Sequence, residues 1–142
     1  MMRPRPEGPV ERLAEPECWR LLQTQSLGRI ATRVGDTVDI FPVNYYADGA
    51  RILFRTAPGD KLLELTINEH VTFEVDSYTE TTAWSVIAKG TARALDTQAE
   101  VDEAGSLPLY SWIPTLKSVY VSISPQVLTG RRFERGPEPE WY

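Results

Sequence analysis

The tightest constraint in this sequence is a series of alternating apolar stretches joined by very short connections. Residues 29–34 place Ile30, Thr32 and Val34 on one side, and Gly35-Asp36 then offers a two-residue hairpin turn. The next alternating run covers 38–47, Asp48-Gly49 forms a second turn, and 51–56 follows, rich in Ile, Leu and Phe. Strands linked so closely must pair antiparallel, because a parallel partner needs a crossover of about a dozen residues or more.

The rest of the chain extends this pattern. Pro58-Gly59 breaks the third strand, residues 61–67 form a short amphipathic helix, and Asn68 and Glu69 close it. A fourth strand is expected over 71–78 and a long fifth over 83–95. Residues 96–105 are acidic and read as a short exposed helix. Residues 106–114 are apolar but carry Pro108 and Pro114, so a packed loop is expected there. The sixth strand starts near 117 with Val119, Val121 and Ile123 on one face and runs past Pro125 toward Phe133. Ahead of all these, residues 12–25 carry a helical stripe of Leu13, Cys18, Trp19, Leu21 and Leu22. Pro16 sits near its start, where proline is tolerated, and Gly28 would end it. Residues 1–10 and 136–142, rich in proline, read as loose ends. The expectation is a mainly β fold with a few short helices, a six-stranded antiparallel barrel that is closed or partly closed. The 142 residues suit one domain, able to bury roughly two-thirds of its unfolded surface without staples.

Composition narrows the function classes. The net charge is -5, so the basic excess of a broad nucleic-acid surface is missing. One cysteine, Cys18, excludes an internal disulfide and multi-cysteine metal sites, and its place on the apolar side of the first helix reads as an inert buried thiol. The single histidine, His70, follows a turn and suits a surface or capping role better than catalysis. No metal site is expected. Asp96, Glu100, Asp102 and Glu103 lack the spacing and glycine of a calcium loop. No apolar run approaches the ~20 residues of a membrane span, and the N-terminus has no signal-peptide pattern. A soluble, cytoplasmic chain is expected.

The stretch most suggestive of chemistry is Arg55-Thr56-Ala57-Pro58-Gly59-Asp60-Lys61-Leu62. A strand ends in a cation and a hydroxyl, the chain turns, and a helix begins with a lysine. First-turn amides and the positive helix end would then converge with Arg55 and Lys61, as a phosphate site requires. From 51 to 61 the charge is +2, within an acidic chain. Basic turns of this kind are common, and on the residues alone a solvated strand end followed by an ordinary turn and helix is the favoured reading. Pro42 inside a strand points to an edge, a bulge or a ligand approach. Asn44-Tyr45-Tyr46 would also serve as a plain aromatic strand. Trp84 and Trp112 could line a pocket or pack in a core or dimer interface, and a packed loop favours the second use for Trp112.

Taken in order, Ile40-Phe41-Pro42-Val43-Asn44-Tyr45-Tyr46, then 55–62, then Trp84-Ser85-Val86-Ile87 with Gly90-Thr91-Ala92, resemble the FMN-binding split-barrel proteins related to pyridoxamine 5'-phosphate oxidase. Ile123-Ser124-Pro125 and Thr129-Gly130-Arg131-Arg132 give a weaker echo. The resemblance implies FMN in a cleft between the two subunits of a homodimer, and a flavin-dependent oxidoreductase acting on an unspecified small molecule. By similarity Arg55, Thr56 and Lys61 would hold the phosphate, with Leu62 closing the motif. Val43, Asn44 and Tyr45 would lie along the isoalloxazine ring, mostly through backbone groups. Trp84 and Ser85 would reach the same flavin from the partner chain. No catalytic residue is singled out. A flavin carrier or sensor without turnover is the alternative from another class. A deazaflavin is disfavoured because its polyanionic tail calls for a wider basic groove. The arginine and histidine motif by which true pyridoxamine phosphate oxidases grip substrate is missing after His70, so vitamin B6 chemistry is not expected.

Overall fold

A computed structural model describes residues 10–112 and 119–138. The elements in chain order are β1 (Val10–Leu13), α1 (Glu15–Leu22), β2 (Leu27–Val34), β3 (Thr37–Ala47), β4 (Ile52–Thr56), α2 (Asp60–Ile67), β5 (His70–Tyr78), β6 (Thr82–Ala94), α3 (Gln98–Gly105) and β7 (Val119–Glu134). All strand pairings are antiparallel. The order β7-β4-β3-β2-β5-β6 closes on itself through a β6–β7 pairing, so six strands form the expected barrel ring. The long β7 closes it by pairing β4 along Val119–Ile123 and β6 along most of its length.

Both expected turns form. Gly35 and Gly49 carry positive φ of 60° and 91°, the conformation a tight turn needs and other residues resist. Asp48 reinforces the second turn, its Oδ1 accepting the Ala50 and Arg51 backbone N–H at 3.0 and 2.9 Å.

Two expectations are corrected. A seventh strand, β1, lies beside β7 on the edge of the ring, so Val10 belongs to a strand rather than a loose end. Four residues were too few for alternation to register. Of the other expected loose ends, 1–9 and 139–142 lie outside the described residues, and 136–138 are exposed beyond β7. Gly28 does not end the first helix, which stops at Leu22 with Gln23 as its cap. It sits inside β2, where a Cβ would lie 2.5 Å from the Phe73 ring, so the glycine serves close packing against the neighbouring strand β5.

The interior is filled by Ile30, Val43, Tyr45, Ile52, Phe54, Phe73, Val75, Val86, Val121 and Ile123, with Cys18, Leu21 and Leu22 of α1 plugging one end. Burial raises the Cys18 thiol pKa, as an inert thiol requires. A second, smaller core lies outside the barrel wall. Leu53 of β4 faces outward and is covered by Leu95, Ala104 and Leu109, with Tyr46 and Tyr120 packed against them. Part of the expected packed loop thus folds over β4, while Pro114 lies outside the described residues.

Candidate functional site

The alternation of β4 turns Phe54 and Thr56 into the barrel and Leu53 and Arg55 out of it. Arg55 pairs across strands with Tyr120, and its guanidinium lies 5.8 Å from that ring's centroid. On α2, one turn from the end of β4, Lys61 sits 5.4 Å from the centroid of the Phe41 ring. Between these two cations is a cavity of about 40 Å³, lined by Pro42, Val43, Asn44, Arg55, Lys61, Leu109, Tyr110 and Ser111.

The structure brings together four of the expected residues, Val43, Asn44, Arg55 and Lys61. The Val43 side chain is buried in the core, so only its backbone can face the cavity. Asn44 uses both ends of its amide: Nδ2 donates to the Ser26 carbonyl at 3.1 Å, and Oδ1 accepts the Trp112 backbone N–H at 2.9 Å.

Three residues expected from the same chain are placed elsewhere, and the two expected from the partner chain lie on β6. Thr56 is buried on the opposite side of β4, and its hydroxyl donates to the Ala57 carbonyl. Leu62 packs against the main core. Tyr45 points inward, donates its hydroxyl to the Leu22 carbonyl at 2.6 Å and meets Phe73 edge-on. Its backbone N–H is taken by the Ser26 carbonyl, and burial pushes its phenol pKa up. Trp84 and Ser85 lie on β6, where alternation sends them to opposite faces: Trp84 packs against the core, and Ser85 faces outward. Neither lines the cavity.

The opposite wall, from Leu109 to Ser111, was not legible in the sequence as part of a site. Its signal was an apolar stretch between prolines, which alone indicates packing. Trp112 was expected to be packed, yet its side chain is 64% exposed and borders a groove of about 680 Å³ beyond Asn44. His70 is exposed at the start of β5, its backbone N–H capped by Asn68 Oδ1. The acidic helix α3 is tied to the barrel by Arg93–Glu100 and Arg51–Glu103 ion pairs. Arg93 and the Thr97 hydroxyl hold the Glu100 carboxyl down to about 2. Among the described residues no group of three histidines, cysteines or carboxylates is placed to hold a metal, and no helix is long and apolar enough to cross a membrane.

One atom makes the cavity chemically specific. Arg55 Nε is buried and has no hydrogen-bond partner. An unsatisfied buried donor costs about 1–3 kcal/mol, and more when charged. Arg55 lines the cavity together with Lys61, and no carboxylate is among the residues lining it, so an anionic oxygen fits the set.

The sequence model described as pyridoxamine 5'-phosphate oxidase matches residues 14–132. The chain belongs to this family. An uncharacterized Mycobacterium tuberculosis protein is 44% identical over 92 residues, which span 65% of this chain and 84% of the relative. A Corynebacterium glutamicum crystal structure, provisionally named for the same oxidase, is 44% identical with a TM-score of 0.85 and covers 92% of this chain and 98% of its own. The FAD binding protein of Mycobacterium smegmatis is 41% identical with a TM-score of 0.75, covering 87% and 98%. The mainly β barrel is the family fold.

Proposed function

We propose that this family member binds a flavin through the cleft between β3, β4 and α2, and that it is a flavin-dependent oxidoreductase. The observation that carries the reading is the orphaned Nε of Arg55, a residue that lines the same cavity as Lys61. Arg55 would donate to a phosphate oxygen while its guanidinium stays stacked on Tyr120, and Lys61 would supply a second charge from α2. That helix starts at Asp60 with no side-chain cap, and the positive end of its dipole favours an anion nearby. The backbone of Pro42 and Val43 would flank the flavin beyond the phosphate. A bound flavin supplies the redox chemistry, and the protein supplies position and charge.

FMN is the reading we take first. FAD shares the phosphate next to the ribityl chain, and the FAD-binding relative at 41% identity supports it as the second reading. The test is the absorption spectrum of the purified protein, followed by mass spectrometry of what acid releases. FMN or FAD is expected. A deazaflavin, or a colourless protein that takes up neither flavin, would overturn the assignment. Reduction by NAD(P)H and reoxidation by a defined acceptor would separate an enzyme from a carrier.

A homodimer sharing the site is part of the proposal. Pro42, Arg29, Glu74, Ile87 and Thr129 form one row across the outer surface of five strands. Ser85 lies two residues from Ile87 on that surface, so three strand spacings, about 14 Å, separate its region from the cavity wall in one chain. A two-fold contact through this surface would instead bring the partner's Ser85 toward the cleft. Val86 is fully enclosed by the ring, and Trp84 and Tyr120 are half-buried, whereas Ile40 on outer β3 is 65% exposed.

A further inference from the structure

We propose that Asn44 is a latch that divides the cleft: its hydrogen bond to the Trp112 backbone holds the 110–112 segment across β3, and this bond opens when a flavin ring binds. The inference rests on the flavin reading and concerns how the ring gains entry.

The phosphate cavity is too small for a whole cofactor. At about 40 Å³ it holds roughly three waters. Pockets for ligands of flavin size run to about 300–1,000 Å³. A groove of about 680 Å³ lies next to it, lined by 23–27, Tyr45, Tyr46, Ala47, Pro108 and Trp112. What separates the two spaces is narrow. Pro108 and Trp112 border the groove, while Leu109, Tyr110 and Ser111 between them border the cavity. Asn44 completes the partition, bonded to Trp112 on one side and to Ser26 of the groove wall on the other.

The segment is built to move at one end. Leu109 is anchored in the small outer core with Leu53, Leu95 and Ala104. Beyond it Tyr110 and Trp112 expose 74% and 64% of their surface, so little apolar burial opposes displacement. The Asn44–Trp112 bond is the tie between this far end and β3, and it joins two neutral groups, the weaker class of hydrogen bond. Opening it would merge cavity and groove into one cleft along outer β3, with Arg55 and Lys61 at one end. The length of that cleft would then decide how much ligand lies beyond the phosphate.

Two measurements on the full chain test the latch. Amide exchange should show the Trp112 N–H protected in wild type and about tenfold less so in Asn44→Ala. Asn44→Asp keeps the acceptor and should keep the protection. Stopped-flow mixing with FMN, repeated with FAD, should give a wild-type rate that saturates with flavin concentration, limited by opening. In Asn44→Ala the plateau should rise at least tenfold or vanish. An unprotected Trp112 amide in wild type, or flavin binding with the same unsaturated kinetics in both proteins, would overturn the latch and leave the flavin reading standing. Failure of both proteins to bind either flavin would overturn the two together.

Discussion

A Cβ placed on Gly130 would lie 2.7 Å from Cys18 Sγ, so β7 and α1 approach as closely as a glycine permits. Leu13 of β1 closes the same contact from the other side, its Cδ1 3.2 Å from that position. The glycine therefore lets α1 plug the barrel end, and the buried thiol fills the space a side chain would need. Gly130→Ala should destabilise the fold by about 1–3 kcal/mol through overpacking. Adding Cys18→Ala should recover part of that loss, because the sulfur is the nearer obstacle. Chemical denaturation of the single and double variants measures both steps, and strict additivity would refute the contact.

The phosphate assignment predicts a charge-dependent loss. Arg55→Ala and Lys61→Ala each remove charge-assisted hydrogen bonds worth roughly 1.5–3 kcal/mol. Flavin affinity should fall about tenfold to a hundredfold or more for each. A flavin-fluorescence titration reads this directly, and a change below twofold in both variants would reject the site.

A pH effect follows from the outer face of β5. Burial raises the Glu74 carboxyl from its ordinary 4.5 to about 7, and Asp76 beside it adds to the rise. Arg29 opposes the shift, its Nη1 lying 2.8 Å from Glu74 and 3.7 Å from Asp76. Ile87, Ser85 and the more distant Lys89 of the neighbouring β6 share that face, and among the described residues Arg29 is the cation paired with Glu74. A raised carboxyl pKa means that the folded state holds the proton more tightly. Stability through this group is therefore greatest below about pH 4.5 relative to higher pH, and it falls as pH rises from there to about 7. Thermal melts across pH 5 to 7 should show wild type losing ground to Glu74→Gln. Parallel curves for the two proteins would remove Glu74 as the cause.

If two copies complete the site, flavin and subunit binding are linked by mass action. Added FMN should shift a dilute sample toward dimer in sedimentation, and Ile40→Glu should weaken both association and flavin retention. A monomer that holds flavin at full occupancy would reject the shared site.

The barrel was readable because its signals are local. Alternation marked six ring strands, and Gly35 and Gly49 marked turns through the positive φ they adopt. Pro16 marked the helix start, where its missing N–H costs nothing. The misreading of Gly28 has an equally physical source. A glycine after a helical stripe signals a cap, whereas a glycine demanded by a distant Phe73 ring gives the same letter. β1 escaped because four residues paired only with the far end of β7 carry no pattern of their own.

For the site, the sequence by itself determined which charges meet: Arg55 and Lys61 lie either side of one turn, so local geometry suffices to converge them. Only the tertiary structure decided what they face. Strand alternation turned Thr56 away from Arg55 and Trp84 away from Ser85, a consequence of which face of each strand the closed ring buries. The wall from Leu109 to Ser111 comes from more than sixty positions beyond Asn44 and is held there by the packing of Leu109 on Leu53 and by the Trp112 N–H. Contacts between residues so far apart in the chain leave no periodic trace, because they depend on the register of the sheet and the fold of the loop above it.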